Sequence, residues 1–77
     1  MPITVKFFAS LRESTGCEQC TLDPGQARNA AEAWQNATNG MEFPPSTLIA
    51  INMDYSNADE PLKDGDEVAF FPPVTGG

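Results

Sequence analysis

Histidine is absent from this sequence, cysteine occurs twice, and lysine and arginine together occur four times in 77 residues. Each shortage closes off a class of function. One Cys-x-x-C pair without a histidine cannot build a four-ligand zinc site. Nucleic acid is not an expected partner, because binding it requires neutralising phosphates with Lys and Arg, and eleven acidic residues instead give a net charge of −7. That acidity serves solubility and also suits attraction to a basic protein surface. No apolar run approaches the length of a membrane span, so no membrane partner is expected. The start, Met1-Pro2-Ile3-Thr4-Val5-Lys6, lacks the basic opening and long apolar stretch of a secretory signal. Residence in the cytoplasm is the default expectation.

Length limits the chain to one domain with one thin core, a sheet under a single layer of helix. A chain of this size buries only about 60% of the surface its unfolded form exposes. A deep, fully walled active site is therefore not expected, and a module that works with a larger partner is. The cysteines, Cys17 and Cys20, lead into a strand-like segment rather than opening a helix, where a dipole would lower a thiol pKa. Positions three apart on an extended chain face opposite ways. Cys20 is expected inward beside Leu22 and Cys17 at an exposed turn, so packing is preferred over redox or metal chemistry.

What is present reads as alternating strands around one helix. Ile3, Val5, Phe7 and Ala9 share one face of a strand, and Thr4, Lys6 and Phe8 share the other. Leu11 to Gly16 reads as a connection, and Glu18 to Leu22 as a second strand in a hairpin with the first. Asp23-Pro24-Gly25 stops that strand. The chain's single expected helix is capped by Asn29 with Glu32 three residues on. Ala27, Ala30, Ala31, Trp34 and Ala37 make its buried face, and Asn39-Gly40 closes it. Phe43-Pro44-Pro45 marks a loop. Leu48 to Asn52 reads as a buried strand, a brief edge strand is expected around Tyr55, and Glu67 to Phe71 forms the last strand. Lys63-Asp64-Gly65-Asp66 is a turn, since a calcium loop needs many more spaced ligands. The result is an α+β roll, a mixed sheet of four to five strands on one main helix.

The chain then runs Pro72-Pro73-Val74-Thr75-Gly76-Gly77. Proline cannot donate to a strand ladder, and Pro72-Pro73 favours a stiff, extended start. Residues 1–71 are thus expected to form the domain and 72–77 an extended arm of roughly 20 Å. Two glycines would let such an arm thread a narrow channel and leave its carboxylate unhindered. Phe8 and Phe71 fall opposite the core face, joined by Tyr55, as an aromatic patch beside the root of the arm. Such a patch suggests a protein interface.

The segment Asp64-Gly65-Asp66-Glu67-Val68-Ala69-Phe70-Phe71-Pro72-Pro73-Val74-Thr75-Gly76-Gly77 resembles the C-terminus of the MoaD/ThiS family of sulfur carriers. Val5-Lys6-Phe7-Phe8-Ala9 with Leu11-Arg12-Glu13 is similar to that family's first strand and loop, and Ala50-Ile51-Asn52 to its central strand. Two stretches depart from the pattern: the alanine-rich helix, and Gly40 to Thr47. The resemblance implies a β-grasp, or ubiquitin-like, fold with no permanently bound cofactor. It further implies that an activating enzyme uses ATP to adenylate the Gly77 carboxylate, and that a sulfur donor converts the adenylate to a thiocarboxylate. Gly76 and Gly77 would be the reacting end, and Phe8, Tyr55, Phe71, Pro72, Pro73, Val74 and Thr75 the partner contacts. The double proline favours the branch that serves molybdopterin synthase. There the expected partner is the large subunit, in a heterotetramer, and the sulfur acceptor is cyclic pyranopterin monophosphate. A carrier for the thiamine thiazole, a modifier conjugated through Gly77, and a passive binding module remain as alternatives.

Overall fold

Alternation builds the first strand: Ile3, Val5 and Phe7 are buried, while Thr4 and Lys6 between them are half-buried on the other face. In the computed structural model, which describes residues 1–44 and 46–72, strand β1 spans Ile3–Phe7. Ala9, expected on its core face, is exposed instead and has a φ of 53°. The chain turns there into a six-residue helix, α1 (Ser10–Thr15), where the sequence suggested only a connection. Six residues are too few to show a helical period. Leu11 anchors this helix in the core, and Gly16 ends it at φ 71° by donating its N–H to Arg12 O.

Strand β2 (Gln19–Leu22) runs antiparallel to β1, with Cys20 opposite Val5. A short 3-10 turn (Pro24–Gln26) leads to α2 (Ala30–Ala37). The expected cap is present: Glu32 N–H donates to Asn29 Oδ1 at 2.8 Å. The Glu32 carboxylate, however, accepts from the Arg28 N–H and guanidinium rather than turning back to Asn29. These bonds lower the Glu32 pKa, the guanidinium bond having the largest effect. The inward stripe holds Ala27, Ala30, Ala33 and Trp34, all fully buried. Ala33 takes a place expected for Ala31, which is only half-buried, as is Ala37. Ala33 follows Ala30 by three residues, which puts the two on one face of the helix. After Thr38, Asn39 and Gly40 adopt φ values of 58° and 85°, and Gly40 N–H donates to Gln35 O at 2.9 Å. This is a Schellman closure.

Strands β3 (Leu48–Ile51), β4 (Asp54–Ser56) and β5 (Glu67–Phe71) complete a five-stranded sheet in the order β2-β1-β5-β3-β4. The central pair, β1 and β5, is parallel, and the other pairs are antiparallel. Trp34 fills the space between helix and sheet. Its ring meets Phe7, Phe43 and Phe70 edge-on at centroid distances of 5.5, 5.1 and 5.1 Å. Its indole N–H donates to Met41 O at 2.9 Å, so the buried polar atom is satisfied.

One cluster of polar bonds ties the far end of β5 to the turn after β3. Asn52 donates its side-chain amide to Asp66 Oδ1 and accepts from Glu67 N–H, while Asp66 Oδ2 accepts from Lys63 N–H. The Asn52 bond first, and the Lys63 bond second, hold the Asp66 carboxyl below its ordinary value of 3.8. The turn at residues 63–66 is thus stitched by its own acid.

Two predictions follow from this packing. Trp34→Ala should cost about 3–5 kcal/mol in urea denaturation, because it empties the centre of an aromatic cluster. Asp66 contributes stability above its ordinary pKa, and that contribution is lost as pH falls through the lowered folded value. Asp66→Asn should therefore lower Tm at neutral pH, and its Tm should fall less than the wild type's on acidification below about pH 4.

Candidate functional site

The open face of the sheet carries a groove whose form follows from the strand register. Lys6 on β1 pairs with Ala69 on β5, Ala69 with Ala50 on β3, and Ala50 with Tyr55 on β4. This row crosses four strands on the face away from α2. Its two middle members are alanines, where strands favour large β-branched or aromatic residues. The result is a depression of about 310 Å³ lined by this row together with Phe8, Met53, Glu67 and Phe71.

On the side where β5 ends, the groove is walled by an aromatic stack. Phe8 lies just past the end of β1, donates its N–H to Phe70 O at 3.1 Å, and so extends the parallel pairing by one step. Its ring lies on that of Phe71, with centroids 4.7 Å apart and planes 9° from parallel. Phe8 is 40% exposed and Tyr55 77%. Phe8, Tyr55 and Phe71, singled out by strand alternation, therefore do line one surface. Pro72 follows directly and is half-buried. Pro73, Val74, Thr75, Gly76 and Gly77 lie outside the described residues.

The opposite wall was not legible in the alternation pattern. Met53 is 89% exposed and occupies a two-residue turn, since Ile51 pairs with Asp54. Asn52 and Met53 have φ values of 51° and 72°. Positive φ at both positions is what a type I′ hairpin turn requires, and Asn-Gly is the pair that suits it. Asn52 fits. A methionine in the second position strains the backbone by roughly 1–3 kcal/mol. The available signal was that Asn-x dipeptide between two short strands, with x not glycine.

Lys6 and Glu67 meet across the floor, Nζ to Oε1 at 2.8 Å, both about one-third exposed. Arg12 pairs with Glu18 at 3.9 Å, and Arg28 with Glu32 at 2.9 Å. Three of the four basic residues are thus engaged by acids, and the remaining negative charge is left over the surface.

The two cysteines differ from expectation. Cys17 is not at an exposed turn: it is half-buried and packs on the core, as Cys20 does. It lies outside β2, so the alternation argument does not govern it. Its thiol donates to Gln19 O at 3.2 Å. Burial first, and the neighbouring Cys17 sulfur second, push the Cys20 thiol up, away from the reactive thiolate. Both are free thiols with a packing role.

An acidic β-grasp roll with an apolar groove on the open face of its sheet is the architecture of a ubiquitin-like carrier. The ThiS family profile matches residues 5–77, and the chain belongs to that family. The molybdopterin synthase sulfur carrier subunit of Escherichia coli is 39% identical, an alignment covering 97% of this chain and 99% of that protein. A chain in a solved complex of subunits 1 and 2 of the molybdopterin-converting factor from Helicobacter pylori is similar in fold. That match has a TM-score of 0.65 at 30% identity and covers both chains fully. The small archaeal modifier protein 1 of Methanosarcina acetivorans has a TM-score of 0.76 at 26% identity, covering 99% of this chain and 96% of that one.

The walls of the groove should differ in their contribution to stability. Phe8→Ala removes an aromatic pair worth about 0.5–1.5 kcal/mol beyond its buried area. Lys6→Ala breaks a partly exposed ion pair worth at most about 1 kcal/mol. Urea melts should rank the first variant as the less stable; the reverse order would mean that the stack is incidental.

Proposed function

We infer that this chain is the sulfur carrier subunit of a molybdopterin synthase. The observation that carries the reading is the joining of two features: near-full-length similarity to curated carriers of that name, and an aromatic groove at the root of the Gly-Gly arm. The subunit does not catalyse by itself. It delivers a group to a larger partner, as its thin core and shallow surface suit it to do.

The chemistry proposed for the arm is as follows. A carboxylate oxygen of Gly77 attacks the α-phosphorus of ATP in the activating enzyme, and pyrophosphate leaves. The terminal sulfur of a donor then attacks the acyl carbon and AMP leaves. Where that sulfur is borne as a persulfide, a thiol reduces the resulting acyl disulfide, and a thiocarboxylate remains beside the donor's own disulfide. The thiocarboxylate sulfur is a better nucleophile than the oxygen it replaces. In the large subunit it attacks a carbon of cyclic pyranopterin monophosphate, and a carbon–oxygen bond there breaks with the oxygen leaving on the phosphate or as water. A further water cleaves the acyl–sulfur bond to restore the carboxylate. Two deliveries complete the dithiolene. Gly76 and Gly77 give the arm its slender end, and Pro72 and Pro73 its stiff start.

The partner contacts proposed are the groove residues Phe8, Tyr55 and Phe71, continued along the arm by Pro72, Pro73, Val74 and Thr75. The large subunit supplies the cationic pocket for the phosphorylated pterin, since a carrier of net charge −7 repels phosphate. A heterotetramer of two small and two large subunits, working in the cytoplasm, is the assembly this reading implies. The carrier holds no cofactor permanently; ATP belongs to the activating enzyme.

The test begins with protein bearing a thiocarboxylate at Gly77, mixed with the large subunit and cyclic pyranopterin monophosphate. Its intact mass should return to that of the carboxylate form as dithiolene appears, and deletion of Gly77 should abolish product. A thiocarboxylate that persists beside a competent large subunit would overturn the reading. The thiazole carrier would then be the first alternative. Isopeptide adducts in cells would identify the modifier, whose fold is also represented among the solved neighbours.

A further inference from the structure

Met53 is the one groove residue whose conformation works against its own fold. Its φ of 72° is a region that bulky residues rarely enter. With 89% of its surface exposed, its side chain gains little from packing within the domain. Asn52 beside it has a structural reason to be there: it tolerates the left-handed region and bonds to Asp66 and Glu67. Glycine would close the same turn without strain. What the methionine adds is a long, flexible apolar wall on a groove otherwise bounded by Phe8, Phe71 and Tyr55.

The groove also defines what can enter it. Its floor is the pair Ala50 and Ala69, and its contents would lie between an aromatic stack and a thioether. A flat surface would leave the alanines uncovered, so the complementary shape is a single large apolar side chain standing out from the partner. Methionine is suited to closing over such a knob, since its unbranched side chain adapts to the neighbour it meets.

We propose that Met53 is a specificity-determining contact of the carrier: held at the rim of the groove by a strained turn, it grips a protruding apolar side chain of the large subunit. This rests on the molybdopterin synthase reading above and names the contact by which that subunit recognises its carrier. Strain retained at an exposed position is the mark of a residue kept for binding rather than for folding.

The prediction separates stability from recognition, because one substitution should move them in opposite directions. Met53→Gly relieves the turn and removes the wall. Its Tm should rise by a few degrees, while its affinity for the large subunit, measured by titration calorimetry on the full chain, should weaken by about tenfold or more. Met53→Leu keeps the apolar bulk and the strain, and should hold affinity within about threefold of wild type. Met53→Gly that binds as tightly as wild type would overturn the proposal and leave the carrier assignment standing. A Tm lowered by Met53→Gly would also overturn it, because the methionine would then be serving the fold. If wild-type protein itself fails to bind the large subunit, the functional reading falls, and this proposal with it.

Discussion

The parallel pairing of β1 with β5 is the constraint on which the other features depend. It places the first strand of the chain beside the last at the centre of the sheet. Parallel neighbours cannot be joined by a tight turn, and the whole of α1, β2, α2, β3 and β4 lies between them in sequence. Because Phe7 is paired with Phe70, the next residues, Phe8 and Phe71, fall side by side on the sheet's outer face. The aromatic stack at the root of the arm is therefore a product of topology. Neither residue could provide it from its own half of the sequence.

The two faces of this sheet solve opposite problems. Underneath, bulk is needed because α2 offers mostly alanine. Trp34 supplies it in edge-to-face contacts with Phe7, Phe43 and Phe70, while Phe7 and Phe70 lie nearly parallel with centroids 5.8 Å apart. On the outer face, bulk is withheld at Ala50 and Ala69 and restored only at the margins. Loss of area above is tolerated because the core below is closed: Ile3, Val5, Val68 and Phe70 show no exposure. A small domain with a single packed face can devote the other to recognition.

Much of this was legible in the residue pattern. Period-two alternation located β1 and β5 and assigned Phe8 and Phe71 to the outer face, because a strand leaves no other choice. Asn29 and Asn39-Gly40 bracketed α2 because caps are local chemistry. What stayed hidden was of two kinds. Helix α1 has one buried residue and no period, so nothing in its composition distinguishes it from a loop. The groove floor depends on register: Ala50 and Ala69 matter only because four strands bring them into one row, and no window of sequence contains that row. Cys17 was misplaced for a related reason, since alternation was applied two residues beyond the strand that obeys it.

Parallel alignment also gives the molecule a head and a foot. Met1 lies by Gly65, accepting its N–H, before β5 begins, whereas Pro72 follows where β5 ends. The five residues of that strand separate the two places by about 17 Å. An affinity handle or fluorophore attached ahead of Met1 would therefore sit at the end of β5 opposite Phe71 and Pro72, on the side of the Asn52-Met53 turn. The same addition beyond Gly77 would block the group proposed to react. Immobilising the protein by its amino end should thus leave Phe8, Phe71 and Pro72 facing outward to anything flowing past.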